Sequence, residues 1–251
     1  MQDKIIRNFS RAAHTYNDYA VVQKQVASDM VKYFPDMPQN TDISVLEIGC
    51  GTGFLTKYIK HIYPNACITV CDISKDMLKT CQDNIGTDNI TYIHADAQSY
   101  DFGMNMDKKY DLIISSMTFQ WFDDLPDILL RYKKLLTPTG QILFSTLTKD
   151  TFFQWYDSLR CADIDMVSPF EQDIALLLQP VLPVVLEHKT YTHIFNSAAD
   201  FFKMLKYVGA SASGRKYPLS VTDLRRAGKI LTQKYHNHIS YYVVIVRIHR
   251  T

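Results

Sequence analysis

The chain has 251 residues, 47% of them hydrophobic and 21% charged. Such a chain buries a sizeable core without staples, which excludes a disordered tail, a collagen-like repeat and a disulfide scaffold. The net charge of +1 hides an asymmetry: residues 201–251 carry ten Lys and Arg against one acid, Asp223, so that segment is +9 and the first 200 residues are −8.

The opening residues to about Phe34 read as helical, with Val22, Val26, Met30 and Val31 on one face. They are polar and charged, without an apolar secretory core, and no apolar run approaches the roughly 20 residues of a membrane span. The expectation is a cytoplasmic protein. Five cysteines, an odd number, argue against a disulfide framework, and Cys67 and Cys71 read as packed, reduced thiols. Cys67 and Cys71 have no matching Cys/His pair, so no metal is expected. Residues 35–42, PDMPQNTD, form a linker.

A strand and helix alternation follows. Strands are expected at 43–49, 67–73, 90–96, 110–117 and 141–147. Helices are expected at 54–63, at 74–85 with Ser74 as N-cap, and at 125–136, the last stopped by Pro138 and Gly140. Five such strands imply an α/β fold with a parallel sheet covered on both faces. Beyond residue 150 the spacing predicts helices at 151–160, 166–180, 198–209 (ended by Gly209) and 220–235, and strands at 185–195 and 239–250.

The most informative segment is VLEIGCGTGFL at 45–55. Gly49, Gly51 and Gly53 allow close backbone approach to a ligand, and the following helix offers free N–H groups. The spacing is G-x-G-x-G, not the G-x-G-x-x-G of a dinucleotide site, and no G-K-[ST] ending makes it a P-loop. An acid, Glu47, precedes the turn, which suits a ligand with an ammonium group and no pyrophosphate: S-adenosylmethionine. Asp72, nineteen positions after Gly53, ends the second strand, where an acid accepts from ribose hydroxyls. Asp96 ends the third and could accept from the adenine amino group. Their neighbours Ile73 and Ala97 join the candidate cofactor set, as does Ser115 at the end of the fourth strand.

The EIGCGTG segment, the acid Asp72 and the ADAQ segment resemble the class I S-adenosylmethionine-dependent methyltransferases over about residues 43–147. That resemblance implies a Rossmann-like seven-stranded sheet, mostly parallel with an antiparallel last strand, and ISYYVVIVRIHR at 239–250 suits that strand. NFSRAAHTYNDYAVVQKQVA (8–27), SSMTFQWFDDL (115–125), GQILFSTL (140–147) and MLKYVGASASGR (204–215) together resemble the malonyl-[acyl-carrier protein] O-methyltransferases of biotin synthesis, nearly end to end. The resemblance implies methyl transfer to the free carboxylate of a malonyl thioester on acyl-carrier protein. It also implies residues 1–34 as an N-terminal helical lid, 43–147 as the cofactor-binding core, 148–182 as a helical cap and 183–251 as the rest of the same domain. A carboxylate nucleophile is ionised at neutral pH, so no general base is needed.

Lys206 and Arg215 are the candidates to hold that carboxylate, Arg suiting a bidentate grip. Tyr16 and Tyr19 could fold over the substrate end, Trp121 could wall the site, and Gln120 could donate to a carbonyl. The basic residues Lys203, Lys206, Arg215, Arg225, Arg226 and Lys229 would steer an acidic carrier protein. A methyltransferase of another small carboxylic acid, such as trans-aconitate, and an assembly factor on the same fold stay open. Nucleic acid is disfavoured: no N/D-P-P-Y-type tetrapeptide follows the fourth strand, and the aromatic residues do not interleave with the basic ones.

Overall fold

A computed structural model describes residues 2–36, 41–103, 108–166, 168, 170, 173–181, 184–210 and 219–250. The helices are α1 (Gln2–Ala12), α2 (Tyr16–Tyr19), α3 (Val21–Met30), α4 (Phe54–Ile62), α5 (Lys75–Ile85), α6 (Leu125–Lys134), α7 (Phe153–Cys161), α8 (Ile174–Leu177), α9 (Ala198–Tyr207) and α10 (Val221–Tyr235). The strands are β1 (Ser44–Ile48), β2 (Cys67–Asp72), β3 (Ile90–His94), β4 (Tyr110–Ser116), β5 (Leu136–Leu147), β6 (Val184–Ile194) and β7 (His238–His249). They form one seven-stranded sheet in the order β3-β2-β1-β4-β5-β7-β6. Two units divide the chain: Gln23–Thr146 with Ile174–Glu187 and Val244–Thr251, and Met1–Val22 with Leu147–Asp173 and His188–Val243.

In the first unit, β1 pairs in parallel with β2 (Ser44 opposite Cys67) and with β4 (Val45 opposite Leu112), and β2 with β3. Strands covered on both faces read as apolar runs, as β1, β2, β4 and β5 do, whereas the edge strand β3 is only partly buried and mixes apolar with polar residues. Leu46, Ile48, Ile113, Phe119, Leu129, Tyr132, Ile142 and Phe144 make the core, each contributing roughly 2 kcal/mol by burial. Helix starts follow local chemistry. Ser74 Oγ accepts the Met77 N–H, as its sequence position predicts, and Asp124 accepts that of Asp127.

Two expectations need correction. The helix expected to reach residue 136 ends at Lys134, and β5 starts at Leu136, so Pro138 and Gly140 lie inside the strand. The register jumps there, from Tyr110 opposite Leu136 to Leu112 opposite Gln141. Asp111 holds the irregularity, accepting from Thr137 Oγ1 at 2.9 Å and from the Ser44 N–H at 2.9 Å. Gly140 is required because a Cβ would sit 2.8 Å from the Tyr110 carbonyl oxygen. The helix expected over 166–180 is helical, among the described residues, only at Ile174–Leu177 and in a 3-10 turn at Gln179–Val181. Pro180 brings no N–H to continue an α-helix.

β7 is the antiparallel strand. Arg250 at its end donates to the Leu136 carbonyl at the start of β5 (2.7 Å), whereas Thr148, just past β5, donates its N–H to Tyr242 (2.9 Å).

In the second unit the N-terminal run breaks into separate helices, because the Thr15 hydroxyl lies within hydrogen-bond distance of the Ala12 and Tyr207 carbonyls. Gly209, at φ +74°, ends the α9 run and lies so close to Phe9 that a Cβ would meet its backbone at 3.0 Å. Phe152 packs edge-on against Phe201 and Tyr241. Gln154 bonds Ser240 twice, Nε2 donating to its hydroxyl and Oε1 accepting its N–H. Among the described residues no helix is long and apolar enough to cross a membrane.

Candidate functional site

β1 runs directly into the glycine turn. Gly49, Gly51 and Gly53 all have positive φ, at +69°, +54° and +94°. Each glycine serves a different need. A Cβ on Gly49 would lie 2.2 Å from Thr118 Oγ1, and one on Gly53 would lie 2.8 Å from Ile85. A Cβ on Gly51 would meet nothing within 4 Å, so the turn has an open face at its middle. The turn is tied to β2: the Gly49 and Cys50 N–H groups donate to the Cys71 carbonyl at 2.7 and 3.1 Å. Asp72 Oδ2 accepts the Gly51 N–H at 2.9 Å, and Oδ1 accepts the Ser74 N–H at 2.8 Å. Burial pushes the Asp72 carboxyl up, and those two donors oppose the rise. Asn84 of α5 donates to the Thr52 carbonyl at 2.9 Å.

Glu47 is buried and lies on the strand face opposite Leu46 and Ile48. Thr56 of α4 hydrogen-bonds its carboxyl, which burial pushes well above its ordinary range. Its Oε2 has no hydrogen-bond partner among the described residues. Cys50, Cys71 and Cys81 are buried thiols; Cys67, against its packed reading, is exposed, and so is Cys161. Those two stand at element ends, the first residue of β2 and the last of α7, where the chain leaves the core.

Asp96 is half-buried, its Oδ1 accepting the Gln98 N–H at 3.0 Å. The carbonyl of Ala97 beside it accepts from Tyr132 OH at 2.8 Å, and the Ile73 carbonyl lies 3.1 Å from His94 Nε2. Ser115 is fully buried and donates to the Ile48 carbonyl at 2.8 Å, so its hydroxyl joins the ends of β4 and β1. Gln120 and Trp121 stand in a one-turn 3-10 helix, Phe119–Trp121, and both are half-buried. Gln120 Nε2 donates to the Met117 carbonyl at 2.8 Å.

Residues 45–140 match a family description that reads methyltransferase domain. The malonyl-[acyl-carrier protein] O-methyltransferase 2 of Ilyobacter polytropus is 36% identical over 218 residues, covering 84% of this chain and 81% of that protein. The chain belongs to the malonyl-[acyl-carrier protein] O-methyltransferase family. The family member of Anoxybacillus flavithermus is 34% identical over 222 residues, 83% of this chain and 81% of its own length. Among solved structures, the YcgJ protein of Bacillus subtilis matches with a TM-score of 0.61 over 90% of this chain and 99% of that one, at 14% identity, a likeness of fold.

The other candidate residues of this methyltransferase lie in the second unit. Tyr16 is half-buried; burial pushes the Tyr241 hydroxyl up, and Tyr16 nearby adds to the rise. Tyr19 stacks on Tyr207 with ring centroids 4.7 Å apart, and the Lys203 ammonium lies 5.7 Å from the Tyr19 ring. Lys206 is exposed on α9. Arg225, Arg226 and Lys229 are exposed on α10, Arg226 also donating to the Ala162 carbonyl at 2.6 Å. Arg215 lies outside the described residues. Sequence reasoning missed Met117 and Thr118, since neither residue type signals a positive φ or a contact with Gly49.

Proposed function

We propose that the protein transfers a methyl group from S-adenosyl-L-methionine to the free carboxylate of a malonyl group on acyl-carrier protein, giving the malonyl methyl ester that primes biotin synthesis. The observation that carries the donor reading is the turn at 49–53, open at Gly51 and pinned by Asp72. A Cβ at Gly51 would project into that open side, so the residues fit a ligand lying against bare backbone. When bound, the donor supplies a sulfonium methyl group: the carboxylate oxygen forms an O–CH3 bond as the S–CH3 bond breaks and its electron pair returns to sulfur.

The protein's part is to bind, orient and exclude water, because the attacking carboxylate is ionised at neutral pH. Gly49, Gly51 and Gly53 admit the donor to the backbone. Asp72 has lone pairs left for ribose hydroxyls, and Asp96 serves the adenine amino group beside Ile73 and Ala97. Glu47, whose Oε2 has no hydrogen-bond partner among the described residues, serves the donor's ammonium group, and Ser115 ties the ends of β4 and β1 beside it. Trp121 walls the site. On the substrate side we assign Lys206 and Arg215 to the carboxylate and the rings of Tyr16 and Tyr19 to the acyl group.

Lys203, Arg225, Arg226 and Lys229 give the second unit a basic face, which suits an acidic carrier protein by long-range attraction. Five unpaired cysteines accord with a cytoplasmic setting.

The test is intact-protein mass spectrometry of malonyl-acyl carrier protein incubated with enzyme and donor, with malonyl-coenzyme A, trans-aconitate and succinyl-carrier protein as controls. A one-methyl gain on the malonyl carrier alone is expected. No gain on any acceptor, with donor binding confirmed by calorimetry, would overturn the substrate assignment. Reversing the charge of Arg225 and Arg226 should slow turnover on the carrier but not on the coenzyme A thioester. Equal loss on both would sink the docking role.

A further inference from the structure

The turn after β4 contains a residue in a conformation its type rarely adopts. Met117 has φ +56° and is buried. Glycine would take this conformation freely, whereas a side chain there must be held by its surroundings. The holding groups are identifiable. The Met117 N–H donates to the Ser145 carbonyl at 3.0 Å and to Ser145 Oγ at 3.1 Å. The Met117 carbonyl accepts from Gln120 Nε2 at 2.8 Å, and Gln120 Oε1 accepts from Thr146 Oγ1 at 3.4 Å. The Gln120 amide therefore links the turn after β4 to the end of β5 on both of its functional atoms.

The held conformation has a consequence at the next residue. Thr118 is carried onto Gly49, where its Oγ1 lies 3.4 Å from the Gly49 carbonyl and its side chain fills the place a Cβ of residue 49 would take. Gly49 is the first residue of the turn that leaves β1. A chain of contacts thus runs from Thr146 through Gln120 and Met117 to Thr118 and Gly49.

We propose that Gln120 is a positioning residue for the methyl-donor site: by holding Met117 in its left-handed conformation it seats Thr118 against Gly49 and fixes the first glycine of the turn. This rests on the donor reading given above. It replaces the expectation that the Gln120 amide donates to the substrate carbonyl.

Gln120→Glu tests the role with an isosteric side chain that has no N–H to give the Met117 carbonyl. Gln120→Ala removes the group altogether. Binding of S-adenosylhomocysteine is measured by calorimetry, and KM is measured separately for donor and for malonyl carrier. Both variants should bind S-adenosylhomocysteine about tenfold more weakly, the effect of losing one part-buried hydrogen bond. The donor KM should rise in step, and the carrier KM should stay within about twofold.

The second variant is Met117→Gly in the Gln120→Glu background, because glycine needs no brace to adopt positive φ. It should regain most of the lost affinity, whatever the melting temperature does. Unchanged S-adenosylhomocysteine binding in both Gln120 variants would overturn the proposal. So would a rise confined to the carrier KM without rescue by Met117→Gly, the signature of a substrate contact. Wild-type protein that binds no S-adenosylhomocysteine would overturn the donor reading itself, a result distinct from either of these.

Discussion

Asp72 and Gly51 are joined across the top of the sheet: one carboxylate oxygen accepts the Gly51 N–H at 2.9 Å, and the other accepts the Ser74 N–H at 2.8 Å. One side chain therefore shapes the glycine turn and the start of α5 together. Hydrogen bonds to an ionised group contribute about 1.5–3 kcal/mol each.

Asp72→Asn should break one of the two bonds, because its amide NH2 faces one of the two donors while its oxygen still accepts from the other. S-adenosylhomocysteine binding, measured by calorimetry, should weaken at least about tenfold, and the melting temperature should fall. Affinity equal to wild type would show that the carboxylate is dispensable to the turn.

Gly49 and Gly51 should differ as alanine variants. Gly51→Ala meets open space and costs about 1–2 kcal/mol of backbone strain alone. Gly49→Ala adds a clash with Thr118 and should cost about 3 kcal/mol or more. Thr118→Ala removes two of the three crowding atoms, so the double variant should regain part of that loss in thermal denaturation.

The buried Glu47 carboxyl sets a pH dependence. Its folded pKa is raised above the ordinary 4.5, chiefly by desolvation, so the folded state holds the proton more tightly. That contribution is fully present below pH 4.5 and declines as pH rises toward the folded pKa, at up to about 1.4 kcal/mol per pH unit. The Glu47→Gln variant should therefore gain on wild type in melting temperature as pH rises above 4.5 toward the folded pKa. A constant difference across that range would contradict the raised pKa of the buried carboxyl.

Asp157 sets the opposite dependence. Lys234 Nζ at 2.6 Å and Tyr235 OH at 2.7 Å hold its carboxyl below its ordinary range, and Lys234 is pushed up to about 12. The stabilisation is present above the ordinary value of 3.8 and is lost as pH falls through the folded pKa. Asp157→Asn should lower the melting temperature by roughly 2–4 °C at pH 7, with the gap closing below pH 3.8.

The legible parts of the protein share a local origin. The central parallel strands announce themselves because burial on both faces demands apolar runs, and Ser74 is readable as a cap because it bonds Met77 three residues away. The glycine turn and Asp72 were readable from residue type and spacing. The start of β5 was not, because Pro138 and Gly140 ordinarily stop an element. Here they occupy a register jump that only pairing with β4 reveals. Gln120 was assigned to substrate from its place after the fourth strand, yet its amide faces Met117 and Thr146.

The alternation of strands and helices, the turn that exposes backbone and the acids at the strand ends are therefore legible in the residues alone. Each depends on residues a few positions apart, whose conformational preferences act before the chain closes. Tertiary structure alone decided the place of β7, the left-handed Met117 and the seat of Thr118 on Gly49. Those depend on partners such as Ser145, 28 residues from Met117, and Tyr242, 94 residues from Thr148. Such groups meet only when packing of the whole sheet outweighs the entropy of bringing them together.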